Sequence, residues 1–232
     1  MIFLEFFGMP GAGKTCAIRN LKNDTSDLKF RNKFFAFEKR SITSIVVKTF
    51  YVVLASSLFI NTSSIKKIII FFKNIYKPKK SKIISIRTFS ILFNTIFLVS
   101  IIRIYSLLRN NKNIFIDQGF LQLLFSIIYE MELKNHDIQK SIIKNWLSIP
   151  LSLKKKIYII YFQSEDKIIL KRLLDRNGDS ILEGKKRYKN LKIYKDIFEQ
   201  IIDFLLKENE KYPNIYFKRI TSFKNHLDLL NL

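Results

Sequence analysis

The chain has 232 residues, 48% of them hydrophobic, which is enough for one substantial core and too apolar for a disordered segment. Its net charge of +22, from 41 Lys+Arg against 19 Asp+Glu, points to a polyanionic neighbour or to the lysine-rich coding of an AT-rich genome. A single cysteine, Cys16, excludes an intramolecular disulfide framework and a thiolate zinc site, and fits a reducing cytoplasm.

Residues 1–7, MIFLEFF, form an apolar run that predicts a central buried strand. No secretory signal peptide is expected, because this strand runs on with no basic leader or cleavage site. Residues 8–15, GMPGAGKT, follow at once and match G-x-x-x-x-G-K-[ST]. In such a turn the backbone N–H groups of Gly8, Met9, Pro10, Gly11, Ala12 and Gly13 (proline excepted) face inward and cradle phosphate oxygens. The helix expected over 14–23 adds the positive end of its dipole. Lys14 would reach the β- and γ-phosphates, the Thr15 hydroxyl would hold Mg²⁺, and the Cys16 N–H would meet the α-phosphate. No catalytic part is expected of the Cys16 thiol.

KFFAF at 33–37 predicts a second strand, ending at Glu38. The stretches 41–60 and 83–109 predict helices, with a basic, proline-containing turn around 73–82 between them. NIFID at 113–117 predicts a strand closing on Asp117, and 119–134 an amphipathic helix. Another helix is expected at 136–147, ahead of Pro150, with Trp146 in the core. KIYIIYF at 156–162 predicts a buried strand, and Ser164 an N-cap for a helix reaching about Arg176. A loop at 177–184, a helix at 187–209, a strand at 214–220 and a terminal helix at 222–231 complete the chain.

Short apolar strands alternating with helices indicate a parallel sheet, with ligands at the carboxyl ends of its strands. Asp117 stands where a Mg²⁺-holding or catalytic carboxylate belongs; the competing role is an N-cap for the helix starting at Phe120. Arg172 and Arg176 are four apart and share a helix face. Two readings stay open for them: stabilising charge on a transferred phosphoryl group, or salt bridges to Asp175 and Asp179 on a solvated face. His136 and His226 show no metal-ligand spacing.

At these motifs the chain resembles the P-loop kinases of the nucleoside monophosphate kinase superfamily, and thymidylate kinases most, over nearly its full length. GMPGAGKT is similar to their phosphate loop, and IDQGF at 116–120 to their Asp-Arg segment after the third strand. FQSEDKIILKRLLDRNGDSILE is similar to their fourth strand, helix and lid, with Arg172 and Arg176 at the matching arginines and Glu183 at a lid acid. RITSFKNHLDLL is similar to the final strand and helix, which would put Thr221 near the base. The resemblance implies an α/β fold: a three-layer P-loop NTPase sandwich with a central parallel sheet of about five strands and an inserted helical lobe. It implies one domain over 1–232, an acceptor-side insertion at 39–112 and a lid-like region at 164–187. The activity implied is ATP- and Mg²⁺-dependent phosphoryl transfer, with Lys14, Asp117, Arg172 and Arg176 as catalytic residues and Asp117 or Glu38 as base.

The departures lie on the acceptor side. Gln118 replaces the arginine of the Asp-Arg pair, Pro10 replaces a usually charged residue, and Glu38 is followed by Lys39 and Arg40 in place of Glu-Pro-Gly-Gly. Glu38, Arg40 and Gln118 are therefore the candidate acceptor contacts, and thymidylate specificity does not carry over.

Residues 39–116 contain fourteen Lys or Arg and no acid, so this window supplies +14 of the +22. Within it, 49–65 and 88–102 carry no charge. Three readings stay open for these runs: membrane spans, for which they are short; buried helices of the lobe; or helices seated partly in an anionic membrane surface. The acceptor is expected to be a nucleotide, a sugar or a lipid-linked anionic compound, and the protein to be cytoplasmic, with peripheral placement at the inner membrane face and homodimerisation both open. The alternative function is a membrane-associated nucleotide-binding ATPase or switch without kinase activity. A GTPase lacks its Asn-Lys-x-Asp-like motif here. Basic and aromatic residues interleave at 66–82, but no nucleic-acid-binding module is visible.

Overall fold

The structure, a computed structural model, describes residues 3–18, 33–35, 63–76, 86–107, 114–116, 119–130, 136–153, 155–174 and 187–220. The chain divides into two compact units. One holds Ile2–Ala36, Lys112–Gln118 and Ile157–Leu232; the other holds Phe37–Asn111 and Gly119–Lys156 together with Met1.

The first of these is built on a parallel sheet. Its strands are β1 (Phe3–Gly8), β2 (Lys33–Phe35), β3 (Ile114–Ile116), β4 (Ile157–Phe162) and β5 (Ile215–Ile220), in the order β2-β3-β1-β4-β5. Every neighbouring pair is parallel. β1 is central, and all six of its residues are buried, which is why it reads as a largely apolar run and not as an alternation. Glu5 is the polar member of that strand and is 1% exposed. β1 and β4 pair over six residues, from Phe3↔Ile157 to Gly8↔Phe162.

Successive strand residues face opposite ways, and each face of the sheet is packed. On one face Leu4, Phe6, Ile160 and Phe162 close over Ala12, Ala17 and Ile18, the last two in the helical residues 14–18 (α1). On the other, the Phe7 ring lies 4.7 Å from Phe198 and 5.9 Å from Tyr161. Phe198 belongs to α7 (Arg187–Lys207), whose buried stripe of Leu191, Tyr194, Phe198, Ile201 and Leu205 follows helical spacing. α6 (Asp166–Leu174) follows β4 and buries Ile169. A 3₁₀ turn at Asn209–Lys211 leads into β5.

The second unit is helical: α2 (Ser63–Tyr76), α3 (Ile86–Leu107), α4 (Phe120–Glu130) and α5 (His136–Leu151). Trp146 is fully buried, donates its indole N–H to the Phe120 carbonyl at 2.7 Å, and meets the Phe71 ring edge-on at 5.0 Å. Its place in the core is the one expected. α3 buries Ile91, Phe97, Leu98, Val99, Ile101 and Ile102. Two hydroxyls go in with them because each bonds back one turn, Thr95 to the Ile91 carbonyl at 2.7 Å and Ser100 to the Ile96 carbonyl at 2.6 Å. Residues 91–102 of the uncharged run thus supply much of this unit's described core. Among the described residues, no helix is long and apolar enough to cross a membrane.

Several expectations need correction. α2 was not foreseen: its Lys66, Lys67 and Lys73 disguise an inner face of Ile68, Phe71 and Phe72. The basic turn therefore cannot begin at 73, since α2 runs to Tyr76. α5 does not stop before Pro150 but carries it in its last turn. A proline there forfeits one backbone bond, and the end is closed by Ser152 N–H to the Ser148 carbonyl at 3.2 Å and Leu153 N–H to the Pro150 carbonyl at 3.1 Å. The burial of Ile149, Pro150 and Leu153 outweighs that loss. The helices expected at 41–60 and 222–231 and the loop at 177–184 lie outside the described residues.

Candidate functional site

β1 delivers the chain to the glycine-rich loop, and three of its glycines have φ values that side chains rarely adopt: Gly8 (149°), Gly11 (85°) and Gly13 (103°). Gly8 is also constrained sterically, because a Cβ there would stand 2.7 Å from the Phe162 carbonyl oxygen of the paired strand. The loop turns on a bond from the Ala12 N–H to the Met9 carbonyl at 3.1 Å, and α1 opens with Ala17 N–H to the Gly13 carbonyl at 3.0 Å. Met9 and Ala12 are buried, Pro10 and Thr15 half-buried, and Cys16 exposed.

Three side chains hold carbonyls of this loop. The Lys14 ammonium donates to Gly8 and, at 3.0 Å, to Met9. The Arg172 guanidinium, from α6, donates to the Gly11 carbonyl at 3.1 Å, and its Nη1 lies 3.3 Å from where a Cβ on Gly13 would sit. The Ser164 hydroxyl, from the β4–α6 connection, donates to the Ala12 carbonyl at 3.1 Å. A trans peptide points its C=O and N–H in opposite directions, so fixing the Ala12 carbonyl on Ser164 turns the Gly13 N–H away from it. Two cations therefore meet a loop, Gly8–Thr15, that has no acid of its own, beside the opening turn of α1. Such an arrangement can receive an anion.

Sequence reasoning missed Ser164 in this capacity. It was expected to cap α6, but α6 begins two residues later at Asp166, and the hydroxyl goes to the loop. Two readings were open for Arg172, a phosphoryl contact or a salt-bridged solvated face; its guanidinium lies on the Gly11 carbonyl. Glu38, Arg40, Asp117, Gln118, Arg176, Glu183 and Thr221 lie outside the described residues. Among the described residues, no group of three His, Cys, Asp or Glu is placed to hold a metal ion.

A cavity of about 550 Å³ opens beside the loop, with Met9 on its wall together with Tyr161, Gln163, Glu165, Lys195 and Glu199. Lys195 pairs with Asp166 at 3.2 Å, both on its lining. Burial pushes the Tyr161 phenol up to about 12, helped by the Glu199 carboxylate and opposed by Arg219. Arg219 stands 5.8 Å above the Tyr161 ring and 4.0 Å from Glu199.

No family model and no curated protein matches the chain. Among solved structures it is similar to a deoxyadenosine kinase from M. mycoides with bound dATP, at 14% identity and a TM-score of 0.47, over 99% of this chain and 97% of that one. The same enzyme with bound dCTP gives 14% identity and a TM-score of 0.46, over 99% and 96%.

Proposed function

We propose that the protein is a P-loop kinase that transfers the γ-phosphoryl group of ATP to a small acceptor. The observation that carries this is the convergence of Lys14 and Arg172 on one glycine-rich loop between a central parallel strand and a helix. On triphosphate binding, the Lys14 ammonium exchanges the Gly8 and Met9 carbonyls for phosphate oxygens. The Gly13 N–H and the N–H groups opening α1 add neutral donors, which cost no reorganisation as charge develops. Arg172 has five N–H donors and spends one on Gly11, so it keeps capacity for a phosphate oxygen while anchored to the loop. Mg²⁺, which we assign to Thr15 and Asp117, supplies charge neutralisation when bound. Positioning and electrostatics are the greater part of phosphoryl-transfer catalysis, and this set of residues offers both.

The thymidylate kinase-like motifs support the donor side of this reading, with Arg176 and Thr221 as further contacts of ATP. The acceptor is a nucleotide, a sugar or a lipid-linked anionic compound, contacted by Glu38, Arg40 and Gln118. Lys14→Ala tests the reading. The variant should keep its circular dichroism, lose the thermal shift given by ATP·Mg²⁺, and lose turnover in a screen of nucleosides, nucleotides and sugars. Full phosphoryl transfer by that variant would overturn it, and ATP hydrolysis that no acceptor accelerates would point to the switch alternative.

A further inference from the structure

The two units differ sharply in charge. The helical unit, Phe37–Asn111 with Gly119–Lys156, contains nineteen Lys or Arg and four Asp or Glu, whereas the sheet unit contains twenty-two and fifteen. The phosphate loop does not draw on that excess, since it belongs to the sheet unit.

α2 shows how the excess is presented. Its inner face is fixed: Ile68, Phe71 and Phe72 are buried, both phenylalanine rings meet Trp146, and Lys67 donates to the Ser148 carbonyl at 3.3 Å. Its outer stripe is Lys66, Ile69, Ile70 and Lys73, which helical spacing aligns. Ile69 and Ile70 are each 56% exposed, the two most exposed large hydrophobics among the described residues. A helix that already has a buried face gains nothing in its own fold from two isoleucines on the other.

We propose that this stripe docks the protein on an anionic bilayer surface, with Ile69 and Ile70 entering the headgroup–acyl boundary and Lys66 and Lys73 meeting the lipid phosphates on either side. Apolar residues flanked by lysines on one helix face suit that interface, where insertion and headgroup attraction reinforce each other. A second copy of the chain fits the stripe less well, because a two-fold pairing would bring Lys66 and Lys73, and the rest of a strongly cationic unit, against their own images. Nucleic acid fits less well too, since the middle of the stripe holds two isoleucines where a phosphate backbone rewards donors. The proposal does not depend on the kinase reading.

Co-sedimentation of the full chain with phosphatidylcholine vesicles, with and without about 30% phosphatidylglycerol, tests it. The anionic vesicles should retain about tenfold more protein, and 0.5 M NaCl should remove most of that gain. The double variant Ile69→Ser/Ile70→Ser should lose vesicle binding about tenfold with unchanged circular dichroism and unchanged thermal shift by ATP. Lys66→Glu/Lys73→Glu should lose the preference for anionic lipid. Equal sedimentation with both vesicle types, or isoleucine and lysine variants that bind like the parent, would overturn the proposal. So would an isoleucine variant that turns a dimer into a monomer in sedimentation velocity, or one that loses affinity for a single-stranded oligonucleotide instead.

Discussion

The Ser164 hydroxyl and the Ala12 carbonyl meet at 3.1 Å although 152 positions separate them in sequence. The contact ties the end of β4 to the phosphate loop, and with Arg172 on Gly11 it fixes two successive carbonyls of that loop from one segment of chain. A loop whose donors are already aimed loses less entropy when an anion arrives.

Removal of that hydroxyl should therefore weaken triphosphate binding more than it weakens the fold. A neutral hydrogen bond of this kind contributes about 1 kcal/mol, so Ser164→Ala should raise the dissociation constant for an ATP analogue about fivefold. Ser164→Thr, which keeps the hydroxyl, should restore it. Titration calorimetry on the three proteins decides the matter: equal affinities would show that the loop is aimed without Ser164.

Two glycines of the loop should respond differently to a methyl group. At Gly8 the new Cβ meets the Phe162 carbonyl at 2.7 Å, a backbone atom in the sheet that cannot withdraw. Gly8→Ala should lower stability by about 2 kcal/mol or more, from strained φ and the clash together, read as a lower urea midpoint at constant m. At Gly13 the nearest atom is the Arg172 Nη1 at 3.3 Å, the end of a flexible side chain. Gly13→Ala should cost less stability than Gly8→Ala and disturb nucleotide binding through the displaced guanidinium. The reverse order of urea midpoints would contradict the geometry.

Tyr161 gives the protein an alkaline limit. Its phenol is held up at about 12 by burial and Glu199, against 10.0 in the unfolded chain. Below pH 10 both states are protonated and the group does not affect the balance. Between 10 and 12 the unfolded state releases a proton that the folded state retains, so stability falls, by up to about 1.4 kcal/mol per pH unit. Tyr212, raised by burial and Glu208, adds a contribution of the same sign. Tyr161→Phe should make the decline shallower across this window, measured by urea unfolding at successive pH values. Parallel curves for the two proteins would rule this role out.

What the sequence revealed depended on whether the code was local. The β1–loop–α1 element is written in consecutive residues, so Gly8–Thr15 announced its conformation. β4 was legible because a buried parallel strand is apolar throughout, and α3 because its hydroxyls bond within their own helix. The Ser164–Ala12 contact was not legible, since nothing near Ser164 records a partner on the far side of the fold. α2 was hidden by lysines that mark its outer face while Trp146, 75 positions beyond Phe71, supports its inner one. Pro150 misled because a local rule about donors was outweighed by the packing of Ile149 and Leu153.

Trp146 is the chain's single tryptophan, and its indole is sealed in the helical unit by Phe71, Phe72 and the Phe120 carbonyl. The phosphate loop is in the sheet unit. Light emitted by this protein on tryptophan excitation thus comes from one unit alone, while a nucleotide would be bound by the other. A colour or intensity change when an ATP analogue is added would be an optical record, without any attached dye, of one unit sensing what the other has captured.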